Sequence, residues 1–333
     1  MDILIKKSVL AGAIAAPPSK SLTHRYLVLA ALKSGKTTIN NPLICADTLR
    51  TIDALERLGV KIKRRRRAIT VHGTGGKFTA KNAKLFLGDS GTSLRLILGV
   101  AALCKNPVFI DGSKRLRERP HAKLLKILEQ QGAKIQYLKN RRHAVRPERS
   151  GRAQALQINA PFCVSSNEVK AHHSIPLIIS SNGIKGGEVA VPGNISSQFI
   201  SSLLMIAPFA RKKLKIKITG RAVSKGYIAL TLNAIRKVKN SSLITVEGDF
   251  SSASYFMALS LLTGAKIRIK NLNKKSVQPD GIISDILEKP LNNAEINISN
   301  CPDIALTLGI LGPKFGITLI GVKRLADKES DRA

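Results

Sequence analysis

The sequence predicts an α/β protein with two hydrophobic cores, and three observations carry that expectation. Its 333 residues exceed the roughly 250 at which one core stops growing. Short β-branched runs alternate with apolar stretches of helical period. A helix, glycine, strand sequence also occurs three times along the chain. Aromatic residues make up 4% of the chain and Trp is missing, so Leu, Ile, Val and Ala must do the packing.

Taken in chain order, Met1 to Lys7 lacks the long apolar middle and small-residue cleavage site of a signal peptide, which makes the cytoplasm the expected compartment. The apolar stretches Leu27 to Leu32 and Ser202 to Ala210 are shorter than the ~18 to 20 residues a membrane span requires, so no membrane partner is expected. Asp47 reads as the N-cap of a helix with Leu49, Ile52, Leu55 and Leu58 on one face and Gly59 as its stop. Val60 then opens a strand, and the basic run Lys61 to Arg67 reads as the tip of a hairpin that returns through Ile69-Thr70-Val71. An apolar helix, Leu94 to Leu103, precedes the strand Val108-Phe109-Ile110. The helix, glycine, strand pattern comes back at Leu124 to Leu128 before Gly132, and at Leu259 to Leu262 before Gly264. Four scattered cysteines, Cys45, Cys104, Cys163 and Cys301, form no CxxC pair, and neither a metal nor another cofactor is expected.

Lys and Arg number 55 against 21 Asp and Glu, a formal net charge of +34. Such a field suits small polyanionic substrates drawn into a cleft. A nucleic acid is the lesser reading, because the densest basic run has no aromatic neighbours for base stacking. Four helix openings share one composition: Pro18 to Ser21, Gly88 to Ser93, Gly193 to Gln198 and Gly248 to Ser252 place small hydroxyl or Gly residues before an apolar helix. Each serves as a plain N-cap when taken singly. Together, with Lys20, Arg25, Arg95 and Arg119 close by, they form an anion site for phosphate and carboxylate.

Seven segments then occur in a family's order: Lys20-Ser21-Leu22-Thr23-His24-Arg25, Gly88-Asp89-Ser90-Gly91-Thr92-Ser93-Leu94-Arg95, Arg117-Glu118-Arg119-Pro120, Ile195-Ser196-Ser197-Gln198-Phe199, Val246-Glu247-Gly248-Asp249, Pro302-Asp303 and Lys328-Glu329-Ser330-Asp331-Arg332. On these the chain resembles the EPSP synthase family over its whole length. The sister family that acts on UDP-N-acetylglucosamine shares the fold, but the Lys-Ser-x-x-x-Arg and Ser-Ser-Gln signatures are similar to the shikimate branch. The resemblance implies transfer of an enolpyruvyl group from phosphoenolpyruvate to the 5-hydroxyl of shikimate 3-phosphate. It implies the enolpyruvyl transferase fold, an inside-out α/β barrel of βαβαββ repeats, with residues 19–222 as a continuous domain of three repeats. Residues 1–18 plus 223–333 would form the second, discontinuous domain.

Roles carry over position by position. The resemblance makes Asp303 the base on the 5-hydroxyl, with Glu329 and Lys20 handling protons at the enolpyruvyl carbon. Ser21 and Arg25 would hold the shikimate carboxylate, Ser196, Ser197 and Ser224 the 3-phosphate, with Gln198 and Tyr227 nearby and Lys328 on the hydroxyls. Lys20, Gly91, Arg119, Gln198 and Arg332 would grip phosphoenolpyruvate. The chain departs from the pattern in places. Asp89 stands where the family usually has Asn, and Arg324 near a position that is often Asn. The family's later Asp-His-Arg segment and final Lys have no match here, which implies a second domain lacking its last repeat. Ile235 to Val246 reads as a short basic link, and Lys289 to Asn300 as compressed. A separate chain supplying the last repeat is the partner this implies, and a homologue that only binds shikimate 3-phosphate is the alternative to an active enzyme.

Overall fold

The structure is a computed structural model that describes residues 11–138, 174–194, 196–220, 223–322 and 325. Strand β1 (Ala11–Ile14) runs through Pro17 and Pro18 into helix α1 (Lys20–Leu32) and β2 (Ser34–Asn40). Helix α2 (Ala46–Arg57) and the hairpin β3 (Lys61–Arg65) and β4 (Ala68–Thr74) complete a unit. The next is a full βαβαββ unit: β5 (Ala83–Phe86), α3 (Gly91–Ala101), β6 (Val108–Asp111), α4 (Lys114–Glu118), α5 (Ala122–Gln130), β7 (Ala133–Tyr137) and β8 (Leu177–Ser181). Then come β9 (Gly187–Pro192), α6 (Ser197–Ile206), β10 (Leu214–Thr219), α7 (Lys225–Asn240) and β11 (Leu243–Thr245). The last stretch holds α8 (Phe250–Thr263), β12 (Lys266–Ile269), α9 (Ile282–Leu287), β13 (Glu295–Asn297), α10 (Ala305–Phe315) and β14 (Thr318–Ile320), with 3₁₀ turns at Pro279–Gly281 and Pro302–Ile304.

The two four-stranded sheets are built alike. One has the order β5-β6-β8-β7, with β5 parallel to β6 and the other two pairings antiparallel. The other, β11-β2-β4-β3, repeats that pattern with β11 brought from much later in the chain to lie parallel to β2. The pairs β9 with β10, β1 with β12 and β13 with β14 are parallel; α6 joins the first pair and α10 the last, while β1 and β12 meet across the whole stretch from α1 to α8. The basic run closes the expected hairpin: Arg65 pairs with Ala68 around a two-residue turn, and Arg64 reaches Glu56 at 2.7 Å.

Among the described residues apolar packing makes two clusters. The first runs from Leu22 to Val246 and the second from Phe250 to Leu325. Helix α1 is the centre of the first, with every residue from Leu22 to Leu32 buried, its polar His24 and Arg25 hydrogen-bonded to Thr51 and Thr231. The expected division near residue 222 is not where this packing divides, because α7 lies against α1 and α6 and carries Leu230, Ala234 and Val238 into the first core. Ile235 to Val246 is therefore no link but the second half of a helix and a sheet strand. The chain crosses between the cores twice, side by side: Ser19 N–H donates to Glu247 O at 2.9 Å and Asp249 N–H to Pro17 O at 2.8 Å. That pairing sets the N-termini of α1 and α8 next to each other. No described helix is long and apolar enough to cross a membrane.

Candidate active site

A cavity of about 440 Å³ opens where the two crossings meet. It is lined from both cores, by Lys20, Ser21 and Arg25 of α1, Thr92 and Arg95 of α3, and Arg119 after α4. Ser196, Ser197 and Gln198 add the start of α6, Ser224 and Tyr227 that of α7, and Asp249, Ser251 and Ser252 that of α8. All four helix openings picked out in the sequence thus face one space. Ser19, Ser90, Ser196 and Asp249 are their N-caps, each accepting a backbone N–H of the first turn. The positive ends of these helices and the basic side chains give the wall an anion-attracting field.

Arg25 is held by neutral groups among the described residues. Arg25, 1% exposed, donates Nε–H to Thr231 Oγ1 at 2.8 Å and Nη1–H to Ser21 O at 2.8 Å. Its guanidinium is pulled down to about 10, mainly by burial, and still stays charged at neutral pH. Arg95 donates to Gln198 Oε1 at 2.7 Å, and Gln198 donates in turn to Thr92 Oγ1 at 2.9 Å, so α3 and α6 are tied at their openings. Arg119 donates to Asp89 O at 3.3 Å, and its neighbour Arg117 is fixed by a two-pronged pair with Asp111 at 2.9 and 2.6 Å. Lys20 pairs with Asp47 at 3.0 Å. That contact explains why Asp47 is not the expected cap: Cys45 takes the N-cap position of α2, with its N–H donating to Thr48 Oγ1 at 3.0 Å, and Asp47 lies in the first turn facing Lys20.

On the far wall stands Asp303, in the 3₁₀ turn Pro302–Ile304, accepting the Tyr227 O–H at 2.7 Å through Oδ2. A second carboxylate, Asp280, meets the same phenol at 3.0 Å and accepts from Ser251. Burial, then the charges of Asp280 and Asp303, pushes the Tyr227 phenol far above its ordinary range. Burial first and Asp303 second push Asp280 up to about 7. The arrangement pairs a cationic, hydroxyl-rich wall able to hold a molecule with several anionic groups with a carboxylate able to accept a proton.

A family model described as EPSP synthase (3-phosphoshikimate 1-carboxyvinyltransferase) matches residues 5–172, 163–241 and 237–309. The chain belongs to the EPSP synthase family. The 3-phosphoshikimate 1-carboxyvinyltransferase of a Sulfurovum species is 34% identical over 363 aligned positions, covering 96% of this chain and 78% of that protein. The enzyme of the same name from Methanothermobacter thermautotrophicus is 32% identical, covering all of this chain and 80% of that one. EPSP synthase from Acinetobacter baumannii superposes with a TM-score of 0.58 at 22% identity, a likeness of fold. It covers 81% of this chain, which spans 57% of that longer one.

Of the residues the sequence nominated, Lys20, Ser21, Arg25, Arg119, Ser196, Ser197, Gln198, Ser224 and Asp303 all line the cavity. Gly91 stands beneath Arg119. Lys328, Glu329 and Arg332 lie outside the described residues. Sequence reasoning missed Asp280 and Tyr255. Asp280 had one available signal, since Pro279-Asp280 repeats the Pro302-Asp303 dipeptide and both open 3₁₀ turns.

Proposed function

We propose that this chain transfers the enolpyruvyl group of phosphoenolpyruvate to the 5-hydroxyl of shikimate 3-phosphate and releases phosphate. The observation that carries the reading is the convergence of four helix N-termini and of Lys20, Arg25, Arg95 and Arg119 on one cavity that also holds Asp303. Shikimate 3-phosphate brings a carboxylate, matched by Arg25 and Ser21, and a phosphate, matched by the hydroxyls of Ser196, Ser197 and Ser224. Phosphoenolpyruvate falls to Lys20, Arg119 and Gln198, over Gly91. Asp303 accepts the 5-hydroxyl proton as that oxygen bonds to the central enolpyruvyl carbon and the methylene carbon takes up a proton; loss of a proton there then restores the double bond as the carbon–oxygen bond to phosphate breaks, the cationic wall stabilising the phosphate that leaves. Glu329 with Lys20 would then move protons at the methylene carbon, Lys328 would touch the shikimate hydroxyls and Arg332 the phosphoenolpyruvate. Water-soluble metabolites as reactants make the cytoplasm the matching compartment.

The test is phosphate release from the two substrates by the purified chain. Asp303→Asn should lower kcat by roughly a hundredfold to ten-thousandfold while shikimate 3-phosphate still binds. Full activity in that variant would remove Asp303 from the base role. If a separate chain completes the site, adding the C-terminal repeat of a longer relative in trans should raise the rate. No release under either condition sinks the activity and leaves the binding-only homologue.

A further inference from the structure

We infer that Asp280 is a positioning residue for Asp303, holding a proton that the two carboxylates share through the phenol of Tyr227. The inference rests on the reading of Asp303 as the base and extends it to a group deeper in the wall. Geometry supplies the argument. Tyr227 Oη lies 2.7 Å from Asp303 Oδ2 and 3.0 Å from Asp280 Oδ2, both hydrogen-bond distances. A phenol has one proton to give. If it donates to Asp303, the contact with Asp280 needs a proton from the Asp280 side.

The remaining contacts of Asp280 point the same way. The residue is 4% exposed, and its Oδ1 has no hydrogen-bond partner among the described residues. An ionised carboxylate buried with one bare oxygen is costly, whereas a neutral acid leaves only a carbonyl oxygen unsatisfied. With the proton on Oδ2, Asp280 donates to the Tyr227 oxygen and Tyr227 donates to Asp303, leaving Asp303 as the charged member. The groups bearing on Asp280 come from three elements: Tyr227 from α7, Ser251 and Asp249 from α8, and Asp303 from the 3₁₀ turn. Cys301, just before that turn, is pushed up to about 12 by burial first and then by Asp280 and Asp303, so it stays a neutral thiol. The charged groups acting most on Asp280, Asp303 and Asp249, are both anionic and favour its neutral form. A neutral Asp280 in turn removes a like charge from beside Asp303 and keeps that carboxylate ionised and ready to accept the hydroxyl proton.

Infrared difference spectroscopy of the substrate-free protein tests this without depending on turnover. A protonated-carboxyl band should be present at about pH 6, above the range of ordinary carboxylates, and vanish as the pH rises through about 7. Asp280→Asn should delete it. Asp303→Asn should move its midpoint down by about one pH unit or more, since the like charge is gone. Where the chain turns over, Asp280→Asn should also remove the matching ionisation from the kcat profile while KM for shikimate 3-phosphate stays within about threefold. No band, a band that survives Asp280→Asn, or a midpoint unmoved in Asp303→Asn overturns the inference. A wild type that shows the coupled band yet releases no phosphate would fail the proposed activity alone.

Discussion

A Cβ at Gly91 would stand 2.4 Å from Arg119 Nη1 and 2.6 Å from its Cζ, distances no real side chain sustains. The atoms in the way are the end of a flexible side chain, so Gly91→Ala should fold and push the guanidinium off its place. Steady-state kinetics should then show KM for phosphoenolpyruvate raised about tenfold or more, the equivalent of roughly 1.4 kcal/mol, with shikimate 3-phosphate affinity unchanged. Equal losses for both substrates would mean that Arg119 does not serve phosphoenolpyruvate. His121, one residue beyond Pro120, makes a prediction about pH. It is buried, donates Nε2–H to Leu116 O at 2.9 Å, and is driven down to about 3 by burial first and by Arg95 next. In the unfolded chain it titrates near 6.5. Below that value the unfolded state binds a proton the folded state refuses, so this contribution is full above about 6.5 and is lost as the pH falls towards 3. Its slope is roughly 1.4 kcal/mol per pH unit crossed. Urea midpoints at neutral and acidic pH should fall less in His121→Gln than in the wild type, and parallel curves would refute the buried neutral imidazole.

Local chemistry made the elements easy to read where it acts alone. The three glycine stops Gly59, Gly132 and Gly264 all take positive φ, which the repeated helix, glycine, strand pattern had implied. The cap of α2 was misread because intrinsic preference favours Asp, while Thr48 both accepts the Cys45 N–H and donates to Leu43 O at 2.8 Å, and Asp47 answers to Lys20 from another helix. Nothing in a sequence window reports that distant lysine. The opening of α7 holds a sharper conflict. Ser224 caps it at φ 54 and ψ 40, the left-handed region, while buried at the cavity wall. A non-glycine residue there carries roughly 1 kcal/mol of strain, kept where a site needs the side chain. Ser224→Gly should therefore unfold at higher denaturant than Ser224→Ala by about 1 kcal/mol, since both lose the hydroxyl and only one relieves the backbone. Both should weaken shikimate 3-phosphate binding in calorimetry. Equal stability of the two variants would show that the strain is absorbed elsewhere.

At the scale of the whole molecule, the family and its anion site were legible because each motif is a continuous segment, Lys20 to Arg25 or Ser196 to Gln198, whose place at a helix start follows from its own composition. The partition of the cores was not, because it depends on β11 returning from residue 243 to pair with Thr38 and on α7 packing against α1, long-range events with no local sign. Asp280 was hidden for the same reason, being brought to Asp303 by a phenol more than fifty positions from either. The charge, by contrast, belongs to the chain as a whole. A formal excess of +34 repels itself across the surface, and the cavity walls add helix N-termini of the same sign. Raising sodium chloride from about 0.01 M to about 0.15 M shortens the screening length from about 30 Å to about 8 Å. The melting temperature of the free protein should rise over that range as self-repulsion is screened. KM for both substrates should rise as well, because the same salt weakens the field that draws anions into the cleft. A gain in stability beside a loss in affinity separates a global field from specific ion binding: an anion merely seated in the cavity would stabilise only as far as a saturable site allows, and its effect would disappear once shikimate 3-phosphate filled that site. A melting temperature indifferent to salt would mean that the excess charge is already neutralised by its own surroundings.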